Sequence, residues 1–261
     1  MKKLNRIAVV TGTRAEYGLL KPLIIKLKEL FDTRLIVTGM HLSPEFGLTV
    51  SEIENDGVEV HEKVEILLST DTRTGVAKSM GIALISFADV FERIKPDMLI
   101  VLGDRFEILS VVSAATVMNI PVTHLHGGEL TEGAIDDSIR HAVTKMSHLH
   151  FTSTEEYRRR VIQLGEQPKR VFNTGAIGID NILKMNLLSK QLLEKELNIH
   201  FDAKMILITY HPVTIEEFPI DKQIDNLLNS LDEAEDTTLV FTKANADSQG
   251  RYINNRIAEW I

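Results

Sequence analysis

Short apolar runs alternate along this chain with stretches whose apolar residues recur every three or four positions. The clearest run is Met98-Leu99-Ile100-Val101-Leu102, which ends abruptly in Gly103-Asp104-Arg105 and passes at once into a helical pattern over 106–118. A parallel strand covered on both faces reads as such a continuous run. Similar runs predict strands at 7–11, 34–38, 58–60, 121–125, 149–152 and 170–173. Helices are predicted over 19–30, 45–55 and 76–94, the last stopped by Lys95-Pro96. Another opens at Asp136-Asp137 and reaches about 145, and one more starts near Thr154. Residues 12–18 read as a turn and 67–75 as a polar loop. This βαβα order predicts an α/β fold, a parallel sheet with helices on both faces. Right-handed crossovers then bring every strand-end loop to one edge. After Gly175-Ala176-Ile177-Gly178 the pattern predicts strands at 205–209 and 238–242, a helix over 220–234 and a last helix reaching Ile261. Two strands are too few for a doubly wound domain, so the expected organisation is a domain over 1–175 and an incomplete second one over 176–261.

Composition narrows the partners. A formal net charge of −8 over 261 residues argues against a general nucleic-acid binder, whose footprint is a basic patch. The one basic cluster, Arg158-Arg159-Arg160, is expected to be a solvated helix face. With no cysteine, disulfides, thiolate metal sites and a cysteine nucleophile are excluded. The apolar run 7–10 is too short for a signal-peptide core, and no segment is expected to span a bilayer. A cytoplasmic protein without a membrane partner is the expectation.

Polar groups gather at the predicted strand ends: Arg14 and Glu16, His41, Asp104 and Arg105, then His124, His126 and Glu129. Ligands of open α/β sheets bind beyond the carboxyl ends of the strands, although Asp104 alone also fits a helix N-cap. Thr11-Gly12-Thr13-Arg14 lacks the dinucleotide and Walker patterns, yet an arginine there can hold a diphosphate by paired hydrogen bonds. His124 and His126 alternate on one strand and, with Glu129, have the spacing of a metal site. No wider metal motif supports that, so no metal is expected; one histidine is read as a satisfied core residue and the other as a site residue. Gly127-Gly128 fits close backbone approach to a ligand. Asp104 and Asp136 are the acid–base candidates, because crowded carboxylates separate their pKa values.

Taken together, Thr11-Gly12-Thr13-Arg14-Ala15-Glu16-Tyr17-Gly18, Thr38-Gly39-Met40-His41, Leu102-Gly103-Asp104-Arg105-Phe106-Glu107, His126-Gly127-Gly128-Glu129, Asp136-Asp137-Ser138-Ile139-Arg140-His141, Thr144-Lys145-Met146-Ser147 and His211-Pro212-Val213-Thr214 carry a resemblance. The chain resembles the hydrolysing UDP-N-acetylglucosamine 2-epimerases of sialic-acid biosynthesis and their relatives of the legionaminic-acid branch, from about Arg6 to Asp247. The resemblance implies two Rossmann-like domains of glycosyltransferase-B type with the sugar nucleotide in the cleft between them. It implies elimination of UDP to a 2-acetamidoglucal, then hydration with inversion at C2, without a cofactor. By motif, Asp104 and Asp136 match catalytic carboxylates. Arg14, His211 and Asn245 match UDP contacts, Arg105 a contact to phosphate or sugar, and His41 a residue near the sugar. A homodimer or homotetramer is implied as well.

Two departures follow. Some members carry a catalytic glutamate where this chain has His126, so His126 shares the acid–base role or Glu129 substitutes. The family also continues past Ile261 through a loop that holds the uridine; the chain is therefore expected to be a piece of a longer protein and to bind nucleotide weakly. UDP-N-acetylglucosamine is the substrate first expected. The alternative is an NDP-2,4-diacetamido-trideoxy sugar (N,N'-diacetylbacillosamine), which 38–47 especially resembles. A glycosyltransferase and a non-catalytic sugar-nucleotide-binding module are the readings outside this activity.

Overall fold

The computed structural model describes residues 4–70, 72–211, 219–246 and 248–261, so Pro212-Val213-Thr214 of the resemblance lie outside the described residues. The chain divides into two compact units, Met1–Leu183 and Lys184–Ile261.

In the first unit seven strands form one sheet: β1 (Arg6–Thr11), β2 (Asp32–Thr38), β3 (Glu62–Val64), β4 (Met98–Leu102), β5 (Val122–Leu125), β6 (Leu149–Thr152) and β7 (Val171–Asn173). The order is β3-β2-β1-β4-β5-β6-β7 and every pairing is parallel. Strand order therefore reverses between β1 and β4, the place where such sheets bind ligands. Alternation builds the two cores. Ala8, Val10, Leu99 and Val101 pack with Phe87, Phe91, Val111 and Val143 of α3 (Arg73–Ile94), α4 (Phe106–Val117) and α5 (Ile135–Lys145). Ile7, Val9, Ile100 and Leu102 pack on the other face with Leu20, Ile24 and Ile53 of α1 (Arg14–Leu30) and α2 (Val50–Asn55). Each fully buried aliphatic or aromatic side chain contributes roughly 1.5–3 kcal/mol relative to exposure. The unit also holds α6 (Glu155–Gln163) and nearly all of α7 (Ile177–Lys184).

Several elements depart from expectation. α1 begins at Arg14, inside the expected turn, because Thr13 and Glu16 form a capping box that starts the helix early. The expected helix over 45–55 is a 3₁₀ turn, Pro44–Phe46, and then α2, separated where Gly47 turns left-handed at φ +87°. β3 lies beyond the expected 58–60, since it is 62–64 that finds a partner in β2. α3 is long and apolar enough, by length and composition, to cross a membrane, contrary to the expectation of no such segment. Its apolar character serves the core, where Ala83, Phe87, Val90, Phe91 and Ile94 are buried.

The second unit pairs β8 (Lys204–Thr209) with β9 (Thr237–Thr242) in parallel. α8 (Lys190–Leu197), which the sequence pattern missed, precedes them; α9 (Ile220–Leu231) and α10 (Gly250–Trp260) complete the unit. Ile224, Leu228, Ala244, Ile253 and Ile257 make its core. The division falls between Leu183 and Lys184, and Ile177 and Asn181 bond back to His126 and Gly18 of the first unit.

Candidate active site at the strand ends

Beyond β4, Gly103 turns left-handed at φ +75° and delivers Asp104 to the sheet edge. A guanidinium NH2 of Arg140, from α5, bonds Asp104 Oδ2, and the other NH donates to the Thr131 hydroxyl at 2.9 Å. Burial pushes the Asp104 carboxyl up to about 6; the charges of Asp136 and Glu129 add to this, and Arg140 and Arg105 oppose it. Asp104 and Asp136 are thus within electrostatic reach of each other, as a proton-handling pair requires. Arg105 is itself buried. Its Nε donates to buried Glu107 at 3.2 Å and its guanidinium lies 5.6 Å from the Phe106 ring.

Beyond β5 the two histidines separate. His124 is sealed in the core: a ring nitrogen, Nε2, is 2.7 Å from the Gly103 carbonyl, and Nδ1 is 3.1 Å from the Thr144 hydroxyl. Burial drives its pKa down to about 3, so the ring stays neutral. His126 instead adopts φ +63°, a backbone region that costs a branched or bulky residue energy and clusters at functional sites. Its Nδ1 lies 3.4 Å from Glu129 Oε1, an oxygen that also accepts from Ser153 Oγ at 2.6 Å. Its Nε2 accepts from the Ile177 amide at 3.4 Å. Burial lowers its pKa, with Glu129 opposing. The Glu129 carboxylate beside Nδ1 and the Ile177 amide at Nε2 together orient the ring.

Beyond β1, Glu16 Oε2 accepts from the Gly12 amide at 2.6 Å and the Thr13 amide at 3.3 Å. Burial and the neighbouring Glu107 raise its pKa to about 7. Arg14 faces outward, its side chain 73% exposed, with Nε 2.8 Å from Glu52. His41, expected near the sugar, is fully buried. The Thr11 hydroxyl donates to the Thr13 carbonyl, so His41 Nε2 donates to Thr11 Oγ1 at 3.1 Å and Nδ1 accepts from Thr49 at 2.8 Å. Burial lowers its pKa to about 4. It braces the β1 turn from beneath and offers no free nitrogen. Gly39 makes room for that packing: at φ +58°, a Cβ there would sit 3.0 Å from the Gly12 carbonyl and 3.1 Å from Glu107 Oε1.

In the second unit His211, exposed, follows β8, and half-buried Asn245 follows β9, so both lie at the carboxyl ends of the parallel pair. Gly127 and Gly128 accommodate the protein itself rather than a ligand. A Cβ on Gly127 would meet His124 and Thr144, and one on Gly128 would stand 2.5 Å from the Tyr157 carbonyl. The arginine run is only partly solvated, because Arg158 donates to the Val171 carbonyl and Arg160 to that of Gly128. Among the described residues no group of three or more His, Cys, Asp or Glu is placed to hold a metal ion. Arg140 and Thr144 were missed as site residues, although Asp136, Arg140 and Thr144 stand four apart and so share one helix face.

Residues 25–260 match the sequence model of the UDP-N-acetylglucosamine 2-epimerase family. The chain belongs to that family. It is 50% identical over 252 residues to a GDP/UDP-N,N'-diacetylbacillosamine 2-epimerase (hydrolyzing) of Campylobacter jejuni, covering 96% of this chain and 65% of the relative. It is 41% identical over 257 residues to polysialic acid biosynthesis protein P7 of Escherichia coli, covering 97% of this chain and 66% of that protein. The chain thus spans just under two thirds of the length of both relatives. The crystal structure of UDP-GlcNAc 2-epimerase from Neisseria meningitidis bound to UDP-GlcNAc superposes with a TM-score of 0.76 at 20% identity, over 97% of this chain and 70% of that one. At that identity the likeness establishes the fold: α/β of the glycosyltransferase-B kind found in these family members.

Proposed function

We propose that the protein is a hydrolysing 2-epimerase of a nucleoside-diphosphate 2,4-diacetamido-trideoxy sugar of the N,N'-diacetylbacillosamine type. The observation that carries this substrate is the 50% identity with the Campylobacter diacetylbacillosamine enzyme, and the legionaminic-type stretch 38–47 agrees with it. The strand-end chemistry supports the reaction. A base removes the C2 proton, the C1–O bond breaks with its electron pair leaving on the diphosphate, and a glycal remains. Water then adds its hydroxyl at C1 while a proton reaches C2 on the opposite face, releasing the epimerised free sugar. Asp104, its pKa raised by burial to about 6, can give and take protons more readily than an ordinary carboxyl; Asp136, His126 and Glu129 complete the proposed acid–base set. Charge developing on the diphosphate requires preorganised donors, which we assign to Arg14 and, in the second unit, to His211 and Asn245. Residues 1–175 would then hold most catalytic groups and 176–261 part of the nucleotide domain. A homo-oligomer belongs to the same proposal, and Ile85, 71% exposed on α3, supplies apolar surface for it.

UDP-N-acetylglucosamine, the substrate first expected, is the second reading; the family to which the chain belongs carries that name. Incubating the protein with each sugar nucleotide in deuterated water and following the products by proton NMR separates the two. The expected result is turnover of the diacetamido substrate, deuterium at C2 and free nucleoside diphosphate. Turnover of UDP-N-acetylglucosamine alone returns the assignment to the second reading, and binding of both without turnover leaves a sugar-nucleotide-binding module.

A further inference from the structure

We propose that His124 is a positioning residue that latches the Gly103 carbonyl and so sets the Asp104 carboxyl against the face of α5 that carries Asp136, Arg140 and Thr144. The bonding directions follow from chemistry. A carbonyl only accepts, so the proton sits on Nε2 and points at Gly103, 2.7 Å away. Nδ1 is then an acceptor, and the buried Thr144 hydroxyl donates to it at 3.1 Å. Gly103 is held from its other side too, since its amide donates to the Leu125 carbonyl at 3.0 Å. The β4–β5 ladder pairs Leu102 with Leu125; the His124 ring extends that pairing one residue past the strand, to the left-handed turn that precedes Asp104.

The other end of the latch sits on α5. Asp136, Arg140 and Thr144 are successive fourth residues, one turn apart on one stripe. Arg140 bonds Asp104 directly, and the charge of Asp136 acts on the same carboxyl. By holding Thr144, His124 sets the depth of that stripe against the Asp104 turn. Gly127 seals the arrangement, because a side chain there would stand 3.0 Å from both His124 Nδ1 and Thr144 Oγ1. With a pKa driven down to about 3, the ring keeps one protonation state at any working pH, which suits a fixed strut and excludes proton transfer. Geometry is the whole of its contribution.

The kinetic consequence rests on the epimerase reading; the geometry does not. His124→Gln keeps an N–H donor near the place of Nε2, whereas His124→Asn keeps one only near Nδ1, too short to reach Gly103. With the turnover assay, the Asn variant is expected to lose about 100-fold in kcat with KM within about threefold, and the Gln variant to stay within about fivefold of wild type. Wild-type kcat in the Asn variant, or equal losses in both variants that track an equal fall in Tm, overturns the latch. A readout independent of turnover is the long-range proton–nitrogen spectrum of the labelled histidines, with Thr144→Val as a second variant. One ring is expected to hold its proton on Nε2 from about pH 5 to about pH 9 and to shift its acceptor nitrogen in Thr144→Val. If no sugar nucleotide is turned over, the epimerase reading fails and that spectrum still judges the latch. A His124 ring that titrates, or that carries its proton on Nδ1, overturns it.

Discussion

The turns that follow β1 and β4 flank the same switch point and use similar words: a glycine, an arginine, a carboxylate and a buried histidine from the neighbouring strand or its end. They present opposite charges. After β1 the carboxylate turns in, Glu16 capping the Gly12 and Thr13 amides, while Arg14 faces outward. After β4 the arginine turns in, Arg105 onto buried Glu107, while Asp104 meets Arg140 and the charge of Asp136. The difference lies in which group caps the helix. Glu16 stands at the third helical position, where a capping box turns it back on its own N-terminus. Arg105 is itself the residue before α4 and makes no side-chain cap bond there. One sheet edge therefore carries an exposed cation after β1 and a carboxyl of raised pKa after β4.

Removing the carboxyl should have the largest effect. Asp104→Asn is expected to lower kcat by about 10²- to 10⁴-fold with little change in KM, measured with the diacetamido substrate; a loss under about tenfold would refute its role in proton transfer. The inward carboxylate of the β1 turn should act on stability instead. Glu16 binds its proton more tightly folded, near pH 7, than at its ordinary 4.5. Between those values the folded chain holds the extra proton, so stability falls as pH rises, by at most about 1.4 kcal/mol per pH unit. Glu16→Gln should flatten that slope in denaturant titrations. Asp104, also raised, leaves a remnant of the same sign, but an unaltered slope would mean that Glu16 is not the buried proton holder. The smallest effect belongs to Arg14→Met. Its exposed pair with Glu52 contributes little to folding, so Tm should hold while KM rises about tenfold at near-constant kcat. A fall in kcat with unchanged KM would move Arg14 from binding to chemistry.

The legible part of this molecule is what hydrophobic spacing encodes. β1, β2, β4 and the helices α3, α4 and α5 stand close to where periodicity put them, because burial on both faces leaves a continuous run and burial on one leaves a stripe. Elements whose bounds depend on a cap or a partner were read less well. The Thr13–Glu16 box moved the start of α1 to Arg14, Gly47 broke the helix expected over 45–55, and β3 formed where β2 could pair with it.

At the site, residue type and position near a strand end were enough to mark Asp104, His126, Glu129 and Asp136 as candidates. Spacing alone cannot say which way a side chain turns. His124 and His126 look equivalent in the sequence, yet the structure seals one between Gly103 and Thr144 and holds the other in a left-handed backbone beside Glu129. His41 is buried between Thr11 and Thr49, and Arg105 is bonded to buried Glu107, neither of which the spacing foretold. Arg140 went unmarked although it bonds Asp104 across 36 residues. The chain's own pattern settles where strands end, since that follows from local hydrophobicity. Which groups meet there depends on α5 bringing Arg140 to Asp104 and Thr144 to His124, long-range contacts that local hydrophobicity does not encode.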